Sequence, residues 1–402
     1  MAYIRGMDTQ HTDILISGGG VAGLAAAAAF GAAGFTVTLV DPAPPVTDAA
    51  TDGADLRTTA FLQPAQAFLD RAGVWDAVAP HATALQTMRI VDAGRDPAVT
   101  RDFVAADISD APFGWNVPNW LIRRVLVDRI AALPGVTLRT GVGFEGMVPR
   151  LDTAIVRLTD GTRLRARLVI GADGRNSAVR QAAGIDVTTT RYGQKAITFA
   201  VTHPAPHDGV STEVHQSGGP FTLVPLPDHD GQPCSSVVWM DGGARIAALA
   251  AMDDASFTAA ANARSHGVNG PLTLVGKRSV WPIVSQIADR ITAPRTALVA
   301  EAAHVMPPIG AQGLNMSLAD MAGLLDLSVA TPDALGEAPM LAAYARARHG
   351  DMRLRVTGID ALNRASIAVS PLVHDLRALG VRALHDVAPV RRRLMRLGLG
   401  AR

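Results

Sequence analysis

The feature that most restricts this chain is Gly18-Gly19-Gly20-Val21-Ala22-Gly23, a GxGxxG run between the apolar stretch Ile14-Leu15-Ile16 and a long alanine-rich segment. That context is a buried strand turning tightly into a helix. Gly18 permits the turn, Gly20 lets the backbone approach a pyrophosphate at the helix N-terminus beside Val21 and Ala22, and Gly23 allows close helix-to-strand packing. The helix stops at Gly34, and Thr36 to Val40 reads as the next strand. Asp41 at its end is placed to accept hydrogen bonds from ribose hydroxyls. The chain thus opens with a βαβ unit suited to a dinucleotide, and the motif alone does not choose between NAD, NADP and FAD. A second match, Gly141-Val142-Gly143-Phe144-Glu145-Gly146, leads toward Pro149 and a strand-like stretch instead of a small-residue helix, and is set aside as chance.

Composition supports a large packed core. The chain has 402 residues, 48% of them hydrophobic and 18% charged, too apolar to be mostly disordered. Lys+Arg number 37 against 36 Asp+Glu, so no global field favours nucleic acid. The single cysteine, Cys234, excludes an intramolecular disulfide framework or a multi-cysteine metal cluster, suits a reducing cytoplasm, and reads as a small buried hydrophobe. No metal site is expected. Met1 to Thr12 has no apolar core and reads as a frayed leader instead of a secretion signal. The longest apolar run, Val21 to Ala33, is far short of the roughly 20 residues that cross a bilayer, so no transmembrane helix is expected.

Ala154 to Leu158 and Arg163 to Ile170 read as strands joined through Asp160-Gly161, a dipeptide that favours a tight hairpin. The second of them runs into Gly171-Ala172-Asp173-Gly174. Between about Gly184 and Lys277 the texture becomes strand-rich, with segments such as Phe221 to Leu226 and Ser235 to Met240 separated by turn residues. From Leu341 onward the pattern is helical, broken at Pro371 and Pro389.

Two further motifs decide the class. One is Gly171-Ala172-Asp173-Gly174, continuing into Arg175-Asn176-Ser177 and Arg180. The other runs from Ala300-Glu301-Ala302-Ala303-His304 through Pro307-Pro308 to Gly310-Ala311-Gln312-Gly313-Leu314-Asn315. Taken with the first motif, in this order and across nearly the whole chain, they resemble the para-hydroxybenzoate hydroxylase class of FAD-dependent monooxygenases, and within it the ubiquinone-biosynthesis ring hydroxylases.

The resemblance implies an α/β fold with a discontinuous Rossmann-type FAD-binding domain (12–80, 112–183 and 278–340), a β-sheet substrate domain (81–111 and 184–277) and a helical C-terminal region (341–402). It implies that Asp173 and Gly174 lie by the pyrophosphate and the nicotinamide approach, and that Glu301 bonds the ribitol. Gly310, Gln312, Gly313, Leu314 and Asn315 would then run along the isoalloxazine ring, with Pro307 and Pro308 at the floor of the substrate pocket. Arg57 and Arg123 match two flavin-contacting arginines; the adjacent Arg124 competes for the second place. Tyr192 and Gln194 also match the family. One departure stands out, because the family usually has Gly-Asp where this chain has Ala300-Glu301. His304 is expected to be structural, packed or hydrogen-bonded.

The expected activity is hydroxylation of a phenolic, prenylated ring with O2 and NADH or NADPH as a transient reductant. The oxygen chemistry belongs to the flavin, so no catalytic triad is required of the protein. Phe221, Leu223, Val224 and Leu226 are candidates for a pocket wall, of which alternation on the strand allows only one subset. Residues 343–402 hold twelve arginines and four aspartates, leaving the remainder net acidic. Such a basic segment with leucines suits an anionic membrane surface or an acidic partner in a quinone-forming complex, and equally a solvated helical face. Two other readings stay open: a hydroxylase of another aromatic metabolite, and a flavin-fold accessory protein without turnover.

Overall fold

The computed structural model describes residues 10–52, 54–55, 57–94, 98–216, 218–367 and 387–399. The chain opens with β1 (Gln10–Ser17), α1 (Val21–Ala32) and β2 (Val37–Asp41), the anticipated βαβ unit. β1 begins before Asp13, because Gln10, His11 and Thr12 pair in register with Leu164, Arg165 and Ala166. The part of the expected leader before Gln10 and the expected break at Pro371 lie outside the described residues.

The chain continues through β3 (Thr58–Leu62), α2 (Gln63–Arg71), α3 (Trp75–Val78), β4 (Thr83–Leu85), β5 (Thr87–Asp92), β6 (Val99–Val104), β7 (Gly114–Pro118) and α4 (Asn119–Ala131). Next come β8 (Val136–Thr140), β9 (Phe144–Pro149), β10 (Ala154–Leu158), β11 (Arg163–Gly171) and α5 (Ala178–Ala182). A strand-rich middle follows: β12 (Val187–Thr202), β13 (Val210–His215), β14 (Pro220–His229), β15 (Gln232–Gly242), α6 (Gly243–Ala250), α7 (Asp254–Ser265) and β16 (Thr273–Ala288). The last part holds β17 (Thr292–Ala293), β18 (Thr296–Leu298), β19 (His304–Val305), α8 (Gln312–Ala330), α9 (Ala338–Ile367) and α10 (Ala388–Leu399).

Two large sheets organise these elements. The first is parallel at its centre, in the order β18-β11-β1-β2-β8, with β17 antiparallel at one edge and β9 and β10 folded onto β11. The Asp160-Gly161 hairpin forms as expected, with Gly161 at φ +83°. The second sheet runs β19-β16-β12-β15-β14-β13-β5-β6 and is antiparallel except where β13 meets β5. β16 stays in this sheet to Ala288, past residue 277 where the sequence reading returns the chain to the dinucleotide layer. Its pairing with β12 is irregular between Val275 and Ser279 and between Pro282 and Val284, but resumes on the same strand each time and reaches Ala288. A small third sheet, β3-β7-β4, pairs with neither but touches β14, where Asn116 donates to Pro225 O at 2.9 Å.

Small side chains make the first layer tight. Ala25 to Ala28 of α1 are fully buried, and a methyl on Gly31 would stand 2.2 Å from a Val136 methyl of β8. β1 is buried in the same core, with Ile14, Leu15 and Ile16 at 0% exposure. α9 lays Tyr344, Met352, Val356 and Ile359 into that core, so the long C-terminal helix belongs to the layer that holds the dinucleotide motif.

Candidate active site

The three motifs, more than a hundred residues apart in sequence, meet at the C-terminal ends of three neighbouring parallel strands. Gly18 follows β1, Gly171-Ala172-Asp173 ends β11, and Ala300-Glu301 follows β18. Crevices of this kind, outside the carboxyl ends of parallel strands, are where open α/β sheets bind ligands. The join is direct: the Ala172 N–H donates to Ser17 O at 2.9 Å and the Val299 N–H to Gly171 O at 3.0 Å. Arg180, buried in α5, donates to Ala302 O at 2.9 Å and to Arg175 O at 2.8 Å, tying the second motif to the third.

The first motif fits a pyrophosphate by its local geometry. Gly18 sits at φ +113°, and a Cβ on it would lie 2.3 Å from Ala172 O; one on Gly23 would lie 1.8 Å from Gly18 O. Gly20 differs, since a Cβ there would meet nothing within 4 Å. It caps α1 without any side-chain hydrogen bond, and the first turn holds no acidic residue to compete for the leading N–H groups. A diphosphate would fit that cradle. Val21 is buried and Ala22 half-buried behind it. Asp41 accepts from Gly19 N–H at 2.5 Å and from Ala43 N–H at 2.8 Å, which fixes its carboxylate at the mouth of the crevice.

In the second motif the Asp173 carboxylate accepts from the Ser177 hydroxyl and from Val179 N–H at 3.1 Å, supporting Ser177 as the N-cap of α5, while Gly174 takes φ +78°. In the third, Glu301 is exposed on a short 3₁₀ turn, and its charge reaches Arg57. Pro307 is buried and Pro308 exposed. Gly310 and Ala311 both have left-handed backbones, φ +63° and +56°, as the loop enters α8, which has no side-chain cap. Gly313 and Leu314 are half-buried in that uncapped first turn. The Asn315 amide is committed to the protein: it donates to Ala60 O and Ala311 O and accepts from Leu62 N–H at 2.8 Å, pinning α8 to β3. Gln312 donates to Gly310 O and Gly398 O.

Arg57 and Arg123 converge. Arg57 makes two hydrogen bonds of 2.7 Å to Asp55, and Arg123 stands 3.5 Å from the same carboxylate. Arg124 instead turns outward over Trp120, so Arg123 is the one that faces the cluster. Burial pushes the Asp55 carboxyl up, but bonds from Arg57 and Asn119 and the charge of Arg123 outweigh it and hold it below the usual carboxylate range. The same hydrogen bond holds the Arg57 guanidinium above its ordinary value. The buried Nε of Arg123 has no hydrogen-bond partner among the described residues, a donor suited to an anionic or carbonyl-bearing ligand. Asp55, Asn119 and Trp281, whose ring lies 5.1 Å beneath Arg57, were absent from the sequence reading. Only the closeness of an acid to Arg57 in sequence could have signalled Asp55.

The candidates for a pocket wall divide between the two faces of β14. Phe221 and Leu223 are 0% and 1% exposed, packed with Phe199, Trp239 and Phe257 under α6 and α7. Alternation puts Thr222 and Val224 on the other face of β14. That face of the sheet presents Ala196, Val238, Met240, Trp281 and Ile283, packed with Tyr192 and with Ile309 of the third motif.

His304 is structural, as expected. Its Nε2 lies 2.6 Å from Asp320, which also accepts from Arg348 Nε at 2.9 Å, and all three are buried. Cys234 is 3% exposed, and burial pushes its thiol up to about 11.

Comparison with known proteins agrees with this arrangement. A family model described as FAD binding domain matches residues 11–351. Ubiquinone hydroxylase UbiL of Rhodospirillum rubrum is 34% identical over 402 residues, covering 99% of this chain and 91% of that protein. The 3-demethoxyubiquinol 3-hydroxylase of Escherichia coli is 30% identical over 398 residues, covering 98% and 100%. Among solved structures, p-nitrophenol 4-monooxygenase PnpA from Pseudomonas putida superposes with a TM-score of 0.79 over 98% of this chain and 100% of that one, at 19% identity that supports the fold alone. With its motifs gathered at one strand-end crevice and relatives similar over nearly its whole length, the chain belongs to the FAD-binding-domain family of para-hydroxybenzoate hydroxylase-class monooxygenases and is an FAD-dependent hydroxylase.

Proposed function

We propose that the chain hydroxylates a phenolic, prenylated precursor in ubiquinone biosynthesis, using O2 and either NADH or NADPH. The observation that supports this most is the convergence of the three motifs beside an apolar sheet face, in a chain 34% identical to a ubiquinone hydroxylase and 30% identical to a 3-demethoxyubiquinol 3-hydroxylase. When bound, FAD supplies the oxygen chemistry, and the protein must hold the ring, admit reductant and exclude water. In this reading the N–H groups behind Gly18, Gly20 and Gly23 take the pyrophosphate, Asp41 the ribose and Glu301 the ribitol. Asp173 and Gly174 border the same region. Arg57, Arg123 and the turn from Gly310 to Leu314 border the ring, with Pro307 and Pro308 at the pocket floor. The face bearing Ala196, Val238, Met240 and Ile283 walls the pocket, and its apolar character suits a ring with a prenyl tail.

The same reading extends to location. Val387, Val390, Leu394 and Leu397 of and beside α10 are 49%, 40%, 39% and 57% exposed, next to the exposed Arg392, Arg393 and Arg396. An apolar stripe flanked by arginines suits an anionic lipid surface, where a prenylated substrate resides.

The test is oxygen-dependent product formation by the purified holoenzyme with simple phenols and with prenylated phenols. Substrate-stimulated NAD(P)H oxidation and a hydroxylated product with the prenylated series only is the expected result. Turnover of soluble phenols alone would move the function to another aromatic metabolite. No product from either series would reduce the protein to an accessory role.

A further inference from the structure

Two arginines supplied by segments more than sixty residues apart meet at one carboxylate. Asp55 has only 10% of its side chain exposed; it receives Arg57 Nε and Nη2 at 2.7 Å each, Asn119 Nδ2 at 3.0 Å, and lies 3.5 Å from Arg123 Nη2. Asn119 closes the joint, because its N–H donates to Arg57 O at 2.9 Å and its Oδ1 accepts from the Thr59 hydroxyl. The bidentate contact uses one edge of the Arg57 guanidinium and leaves Nη1 on the outer side, above Trp281 and within the field of Glu301. Two guanidinium groups sharing so small a space repel each other unless a negative charge lies between them. Without it, each long side chain would also regain the rotamer freedom that the shared carboxylate removes.

We propose that Asp55 is a positioning residue for the flavin site, fixing Arg57 and Arg123 together in the orientation that receives the cofactor. This rests on the reading that the two arginines border the flavin. Asp55 itself need not touch FAD; it joins the start of β3 to the start of α4, so that arginines from both arrive preset.

The experiment is a double-mutant cycle on FAD retention by the holoenzyme, read from the fluorescence of flavin released on dilution. Asp55→Asn, which keeps the shape and removes the charge, should raise the FAD dissociation constant roughly ten- to hundredfold. In an Arg57→Ala/Arg123→Ala background the same change should add no further weakening. The visible circular dichroism of flavin at saturating FAD should change with Asp55→Asn in the parent and remain unchanged by it in that background. A purely structural Asp55 would weaken retention equally in both backgrounds, which overturns the proposal, as does wild-type retention in Asp55→Asn. If the arginine variants themselves retain FAD like wild type, the reading of the arginines falls, and the positioning role with it.

Discussion

At residue scale the departure Ala300-Glu301 has two separable consequences. Ala300 sits at φ +53°, a left-handed conformation that glycine adopts freely and alanine does not. Ala300→Gly would relieve about 1 to 2 kcal/mol of strain and lose about 0.8 kcal/mol of methyl burial plus about 0.4 to 1 kcal/mol through the freer unfolded chain. These nearly cancel, so denaturant unfolding should place Ala300→Gly within about 0.5 kcal/mol of wild type, whereas Ala27→Gly inside α1 should cost about 1 kcal/mol or more. Glu301 is a different matter, because the proposed ribitol contact would act through its charge. Glu301→Ala should weaken FAD binding by about one to two decades, the worth of one charge-assisted hydrogen bond, with Glu301→Asp milder. An unchanged flavin dissociation constant in the alanine variant would remove Glu301 from the ribitol. Asp55 adds a pH dependence. Its folded carboxyl lies below the ordinary range, so its contribution to stability is present above the unfolded value and fades as pH falls through the folded one. The stability difference between wild type and Asp55→Asn should therefore shrink on acidification, measured by denaturant midpoints across the acid range.

At the scale of elements, the segment carrying the third motif is held by a buried charge network. Asp320 of α8 is fully buried, between His304 of β19 at 2.6 Å and Arg348 of α9 at 2.8 Å, and Arg348 also reaches Asp351 at 3.0 Å. Removing the shared carboxylate leaves a buried guanidinium short of a partner, so Asp320→Ala should destabilise by about 3 to 5 kcal/mol, while His304→Gln should cost less. Equal midpoints for Asp320→Ala and wild type in guanidinium would refute that account. This network also marks where reading the sequence stopped. The βαβ unit, the Asp160-Gly161 hairpin and the strands around Phe221 and Ser235 were legible because glycine turns and apolar spacing act locally. The motifs announced one site because their residue types answer to a shared ligand. Partners across the fold were not legible: nothing near His304 in sequence points to Asp320, and nothing near Phe221 indicates that Phe257 of α7 covers it. Asn315 shows the same limit, since its motif position suggests a ligand contact while its amide is taken up by the β3 backbone.

For the whole molecule, the polarised charge of the sequence becomes a surface with a direction. Met395 and Leu399 of α10 are 8% and 7% exposed and face the protein, Arg391 pairs with Asp107 at 3.1 Å, and Gln312 and Arg355 bond the carbonyls of Gly398 and Leu397. These contacts turn Val390, Leu394 and Leu397 outward beside Arg392, Arg393 and Arg396, on a helix docked against the first turn of α8. No helix among the described residues is long and apolar enough to cross a membrane, so lipid contact would be confined to this outer face. Each basic residue near an anionic surface contributes about 1 kcal/mol, and burying two leucine side chains adds roughly 3 kcal/mol or more, enough together for reversible association. The two contributions respond differently to salt, which screens the first and leaves the second. Replacing Arg392, Arg393 and Arg396 with glutamine should release the protein from anionic vesicles at low salt, and Leu394→Ser with Leu397→Ser should release it at every salt concentration. Arg391 is kept in both variants because it holds the helix down. Bound FAD and NAD(P)H oxidation with a detergent-solubilised prenylated phenol should stay as in wild type throughout. Co-sedimentation that shows no binding by wild type, or equal binding by all three proteins, would leave α10 as a solvated face packed on the flavin layer.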